Sequence, residues 1–115
     1  MTIPGLVAAT TMFGLFLAAI GMLARAGRLR PNSLVGNRTP AVMASAQSWR
    51  AGHRAGSPWM VLAGLATVGY AGLLWVLAAG GDANPRRFEI GYVLALLGCM
   101  FFSVWVATRA SRAVD

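Results

Sequence analysis

Apolar residues dominate three long segments of this chain, and the charged residues are gathered between them. Three runs without a charged residue begin at Met1, Ala55 and Ile90, and they are 24, 27 and 19 residues long. A bilayer core about 30 Å thick needs about 20 helical residues, so each run is long enough to cross it. The pattern predicts an all-α membrane protein with three transmembrane helices in one domain. The predicted spans are about 3–24, 58–79 and 88–108 of the domain 1–115, with a connecting loop at 25–57.

Composition and charge exclude several functional classes. Apolar residues make up 57% of the chain, above the roughly 45–50% of soluble domains. The chain has ten Lys or Arg residues, all of them Arg, and only three acidic residues, which gives a formal charge of +7. A soluble enzyme and a carboxylate-paired active site are therefore not expected. Nucleic-acid binding is also rejected, because the arginines flank membrane segments without a recognition motif.

The distribution of the arginines predicts an orientation. Eight of them lie in the first loop and the C-terminal tail, and only Arg86 and Arg87 lie in the second connection. The positive-inside rule then puts the N-terminus outside and the C-terminus in the cytoplasm. The Arg-, Ala- and Gly-rich composition favours a bacterial plasma membrane as a hypothesis. No Asp, Glu, His, Lys or Arg lies in mid-span, and Glu89 is expected to pair with Arg86 at a helix start.

The first loop carries most of the chemical information. Thr39-Pro40 resembles a helix cap followed by proline at the first helical position. We therefore expect a cytoplasmic amphipathic helix from Pro40 to about Ala55, lying along the inner membrane surface. Trp49 would act there as an interfacial anchor.

Arg50 and Arg54 lie one helical turn apart and repel each other unless an anion lies between them. A phosphate that Arg38 could also reach is one interpretation. The simpler interpretation is that these arginines are solvated and face the cytoplasm or anionic lipid headgroups. His53 is the only histidine, so a metal site within one chain is not expected, and a hydrogen-bonded structural role is favoured over pH sensing. No cofactor is predicted.

Small residues at four-residue spacing let transmembrane helices approach closely. Each span has such a row, which predicts helix packing within the chain or, alternatively, an oligomer interface. The candidate packing residues are Gly14, Ala18, Ala63, Thr67, Ala71, Gly91, Ala95, Cys99 and Ser103.

The first loop also resembles a known sequence signature. Pro31-Asn32, then Gly36-Asn37-Arg38-Thr39, then Ser45, Trp49 and His53-Arg54 entering a span, resemble the signature of the SdpI-like family. This is the sporulation-delaying-protein immunity family. Many relatives carry acids between the Ser and the Trp, whereas Ala46, Gln47 and Ser48 are neutral here, and longer relatives have a further N-terminal membrane domain. The candidate interaction residues are Asn32, Gly36, Arg38, Thr39, Ser45, Trp49, Arg50, His53 and Arg54.

Three functions remain open at this point. The resemblance implies immunity against a membrane-active peptide toxin, with the basic loop as the candidate interaction site. A small accessory subunit of a larger membrane complex, or a homo-oligomer, fits size and composition equally well. A membrane-tethered docking module for a cytoplasmic regulator would use the same loop without any toxin.

Overall fold

The protein is a bundle of three long helices. The computed structural model describes residues 2–31 and 36–114, and within these ranges it contains helices and no strands. The helices are α1 (Ile3–Arg25), α2 (Ala46–Ala79) and α3 (Glu89–Val114). All three are long and apolar enough to cross a membrane. The predicted all-α class with three candidate transmembrane helices is thus confirmed.

Local sequence explains both ends of α1. The Thr2 side chain caps the first turn by accepting a hydrogen bond from the Gly5 N–H at 3.2 Å. At the other end Gly27 takes a left-handed conformation with φ of 72°. The Arg28 N–H then bonds to the Leu23 carbonyl at 2.9 Å, which satisfies a carbonyl that the ended helix leaves without a partner. The chain consequently reverses into the loop directly after the apolar segment.

The separate surface helix expected from Pro40 to Ala55 is not what the structure shows. Residues 40–44 form turns, and α2 begins only at Ala46. The cap is Ser45, whose Oγ accepts the Ser48 N–H at 3.0 Å, while the Thr39 hydroxyl bonds to Thr108 on α3 instead. Since no break follows Ser45, the segment expected on the membrane surface forms the first turns of α2.

Helix α2 continues through Pro58, which the sequence interpretation placed at the start of a new helix. Proline lacks the N–H that would bond to the carbonyl four residues earlier, here that of Arg54. The Ser57 hydroxyl donates to that carbonyl at 2.9 Å and replaces the missing bond. The resulting helix of 34 residues is about 51 Å long and exceeds a bilayer core of about 30 Å.

The excess length of α2 is on its N-terminal side, where the first loop and the end of α3 also lie. We call this region the arginine-rich end. It carries Arg25, Arg28, Arg30, Arg38, Arg50, Arg54, Arg109 and Arg112.

Glycines bring α2 close to both of its neighbours. A Cβ atom added at Gly64 would lie 2.7 Å from the Gly14 carbonyl oxygen of α1. Added at Gly56, it would lie 2.8 Å from the Ser103 carbonyl oxygen of α3. Any larger residue at these crossings would therefore push the backbones apart, so α2 forms the centre of the bundle with α1 and α3 packed against it.

Two ion pairs close the opposite end of the bundle. Arg86 bonds to Glu89 at 2.8 Å, as the sequence predicted, and Arg87 pairs with Asp82. Gly81 turns the chain with φ of 79°. This end carries both acids in the described ranges, so it is balanced in charge while the arginine-rich end is strongly positive.

Candidate functional site at the arginine-rich end

His53 links the first loop to α2. Its side chain is 1% exposed, and its Nε2 accepts a hydrogen bond from the backbone N–H of Asn37 at 2.8 Å. Its Nδ1 lies 2.9 Å from the Trp49 carbonyl oxygen. Because a backbone N–H only donates and a carbonyl only accepts, the ring must be neutral with its proton on Nδ1.

Burial also lowers the pKa of His53 below its ordinary value of 6.5, and the hydrogen bond to the Trp49 carbonyl opposes this only in part. His53 lies on the arginine-rich side of Pro58, between Arg50 and Arg54, before the apolar segment of α2 begins. The favoured structural role for this histidine agrees with its geometry, in which both ring nitrogens have partners.

The side chain of Asn37 links the loop to α3. Its Nδ2 lies 3.1 Å from the Ser103 Oγ and 3.4 Å from the Ser103 carbonyl oxygen. Ser103 in turn donates its hydroxyl to the Gly56 carbonyl of α2 at 3.0 Å. The loop, α2 and α3 are thus joined through a single buried chain of hydrogen bonds.

Three further hydrogen bonds join the same elements. The Trp49 Nε1 donates to the Leu29 carbonyl at 2.8 Å, the two hydroxyls of Thr39 and Thr108 lie 3.0 Å apart, and the Ser111 hydroxyl donates to the Ser48 carbonyl at 2.8 Å. We call the whole set the polar cluster. Its members are Asn37, Thr39, Ser48, Trp49, His53, Ser103, Thr108 and Ser111.

The polar cluster is fully satisfied internally. In residues 2–31 and 36–114, every buried side-chain nitrogen and oxygen has a hydrogen-bond partner. An unpaired polar group in a low-dielectric interior costs about 1–3 kcal/mol, so a complete network favours one fixed loop conformation. The cluster therefore holds the loop in place.

The predicted interaction residues divide into two groups. Gly36 lies against the His53 ring with φ of 102°, and Thr39, Ser45, Trp49 and His53 build the loop and its junction with α2. Trp49 is 1% exposed, so its expected role as an interfacial anchor is wrong. The second group is the three arginines Arg38, Arg50 and Arg54, which are exposed, as is the α2 cap Ser45. Asn32 lies outside the described residues.

The small-residue rows pack unevenly. Gly14 of α1 and Ala63, Thr67 and Ala71 of α2 are buried, and Ala18 is half-buried against Gly64. On α3, Ser103 is buried and Cys99 half-buried, but Gly91 and Ala95 are exposed. The alternative of an oligomer interface stays a prediction for the first half of the α3 row, which therefore does not pack within the chain. The reason is that α3 meets α2 most closely at Gly52 and Gly56, near the arginine-rich end.

The unpacked half of α3 leaves a cleft between α2 and α3. Its volume is about 490 Å³. The Tyr70 and Tyr92 rings, one from each helix, lie parallel with centroids 4.4 Å apart, and the Tyr92 hydroxyl lies 2.8 Å from that of Thr67. The cleft is mainly apolar, with Arg87 and Phe88 at the end nearest the second connection. Its lining residues are Ala66, Gly69, Tyr70, Leu73, Arg87, Phe88, Gly91, Tyr92 and Ala95.

Several important residues were missing from the sequence interpretation. Gly52 and Gly56 have the four-residue spacing that marks close helix packing, but they lie before Pro58 and so outside the predicted span. Asn37 was noted only as part of the family signature. Ser57 before Pro58 was the available signal that a helix could continue through the proline. In the described ranges, no three His, Cys, Asp or Glu side chains lie together as metal ligands would.

The arrangement defines a class of protein: a three-helix membrane protein whose first loop is folded into the bundle by a buried polar network. A family model described as the SdpI/YfhL protein family matches residues 28–108. That match covers all of α2, most of α3 and every member of the polar cluster except Ser111, so the chain belongs to this family. No curated protein and no solved structure matches the chain.

Proposed function

We propose that this protein is a non-enzymatic immunity protein that protects its membrane by binding a membrane-active peptide in the cleft between α2 and α3. Family membership supports the functional class. The cleft itself is the observation that supports this choice of binding site: it is about 490 Å³ in volume and is lined mainly by apolar and small side chains. An apolar peptide segment would fill it by van der Waals contact, which small residues permit at close range.

The arginine distribution supports the same proposal. Under the positive-inside rule the eight arginines of the arginine-rich end face the cytoplasm, so the second connection faces outward. The cleft then opens in the outer half of the membrane, where a secreted peptide arrives first. The signature loop does not bind the peptide in this proposal. Its polar cluster holds α2 against α3 at the arginine-rich end, and the cleft lies towards the other end of these helices.

The proposal is tested by filling the cleft without disturbing the packing. A Cβ atom at Gly69 or at Gly91 would meet no atom within 4 Å, and the same is true of Gly72 and Gly98. Gly69 and Gly91 line the cleft, whereas Gly72 and Gly98 do not. Gly69→Leu and Gly91→Leu are therefore the test variants, and Gly72→Leu and Gly98→Leu are their matched controls on the same helices.

Cells that lack the protein, or carry each variant, would be challenged with a panel of membrane-active peptides and scored for survival and membrane depolarisation. We expect deletion to sensitise cells to at least one peptide, and only the cleft variants to fail to restore protection at equal protein abundance. Equal protection by Gly69→Leu and Gly72→Leu would exclude the cleft. A deletion strain insensitive to every peptide, together with stoichiometric co-purification of a larger membrane complex, would favour the accessory-subunit alternative.

A further inference from the structure

Arg50 and Arg54 form a paired basic feature on the outer surface of α2. Both are exposed, they lie one helical turn apart, and both line a cavity of about 290 Å³. Gln47 adds an amide to the same cavity, and Val114 closes it from the end of α3. The two acids in the described ranges, Asp82 and Glu89, form their ion pairs at the opposite end of the bundle.

From these contacts we infer that Arg50 and Arg54 bind the phosphate of one anionic phospholipid. Two like charges at this spacing repel each other, and an anion between them turns the repulsion into attraction. Guanidinium groups bind phosphate oxygens through paired hydrogen bonds, which makes arginine well suited to this role. The neutral amide of Gln47 can donate a further hydrogen bond to the same headgroup.

Arg54 lies at the depth of the lipid headgroups, and Arg50 lies one helical turn farther out. The apolar part of α2 begins at Pro58, so Arg54 lies about 6 Å and Arg50 about 12 Å beyond it along the helix. The headgroup region on each side of a bilayer is about 5–8 Å thick. Arg54 therefore lies within the headgroup region, and the backbone of Arg50 lies about 4 Å beyond it, from where the long side chain can extend back to the same headgroup.

The polar cluster makes this pair more rigid than ordinary surface arginines. His53 lies between Arg50 and Arg54 in sequence and Trp49 directly precedes Arg50; both are buried on the inner face of the same turns and are bonded to the loop. Gly52 packs on Ala107 and Ser111 of α3. The backbone that carries the two guanidinium groups is thus fixed, which lowers the entropic cost of holding a ligand between them.

The experiment uses the full chain in nanodiscs of zwitterionic phosphatidylcholine with increasing amounts of anionic phosphatidylglycerol. The number of phosphatidylglycerol molecules retained by the protein is counted by native mass spectrometry. The test variant is R50Q/R54Q, and the matched control is R109Q/R112Q, which removes the same charge from the same end of the bundle. R54Q alone is the second test variant in case the double variant folds poorly.

We expect R50Q/R54Q to bind phosphatidylglycerol about tenfold or more weakly, since the variant loses both guanidinium groups that hold the phosphate through paired hydrogen bonds. R54Q should show a smaller loss, and R109Q/R112Q should stay close to the parent protein. Equal losses in both double variants would overturn the inference, because general attraction to a negative surface would then explain all binding. Inorganic phosphate would also be added to the nanodiscs. If it reduced the number of phosphatidylglycerol molecules retained by the parent protein to that of R50Q/R54Q, the site would bind free phosphate and the assignment to a phospholipid would be wrong.

Discussion

Replacing Gly56 with alanine tests a close backbone contact between α2 and α3. The new Cβ atom would lie 2.8 Å from the Ser103 carbonyl oxygen and 3.1 Å from the Asn37 Nδ2. Overpacking of this kind costs about 1–3 kcal/mol, and the first contact is to backbone, which cannot rotate away. Alanine gains about 1 kcal/mol of helix propensity over glycine. The free energy of unfolding should therefore fall by up to about 2 kcal/mol.

The matched control is Gly72→Ala on the same helix, where the new Cβ atom would meet nothing within 4 Å. This variant should be as stable as the parent protein or slightly more stable, because only the helix propensity changes. Both proteins would be unfolded by titrating sodium dodecyl sulfate into neutral detergent micelles, with tryptophan fluorescence as the signal. A Gly56→Ala protein as stable as Gly72→Ala would refute the close crossing of α2 and α3.

Three further predictions concern the loop. Gly36→Ala should destabilise the loop by about 1 kcal/mol or more, because φ is 102° and the added Cβ overlaps the His53 ring; faster tryptic cleavage within the loop is the measurement. Trp49→Phe keeps most of the ring contact but removes the bond to the Leu29 carbonyl, so the same detergent titration should show a loss of about 1 kcal/mol. Lowering the pH should also destabilise the protein: the folded pKa of His53 is below 6.5, so its contribution is complete above pH 6.5 and is lost as the pH falls towards the folded pKa. A detergent titration from about pH 8 to about pH 5 should show this, and a pH profile that His53→Gln leaves unchanged would contradict it.

The first loop shows where sequence reasoning succeeded and where it stopped. Its signature residues were recognised, but their roles depend on partners that are far away in the chain. Asn37 bonds to Ser103, 66 residues later, and Ser111 bonds to Ser48, 63 residues earlier. Helical periodicity describes only one element at a time, so it placed Trp49 and His53 on a surface helix and could not show that the loop would cover them.

Pro58 gives a second example. A proline after a serine is typical of both a helix start and a helix that continues with a replaced hydrogen bond. The choice between them depends on whether the Ser57 hydroxyl reaches the Arg54 carbonyl, and this is a matter of three-dimensional geometry. The sequence interpretation selected the start, and the helix in the structure runs 12 residues further back, to Ala46.

The sequence by itself determined the helical class and the three candidate spans of this protein, because a helix that crosses a bilayer needs a long apolar segment and no distant partner. It also determined the unequal distribution of arginines. Only the tertiary structure decided which small residues pack, since Gly56 is covered by Ser103 while Gly91 is left open in the cleft. The physical reason is that close helix packing depends on where two backbones cross, and that crossing is set by contacts among all three helices and the loop.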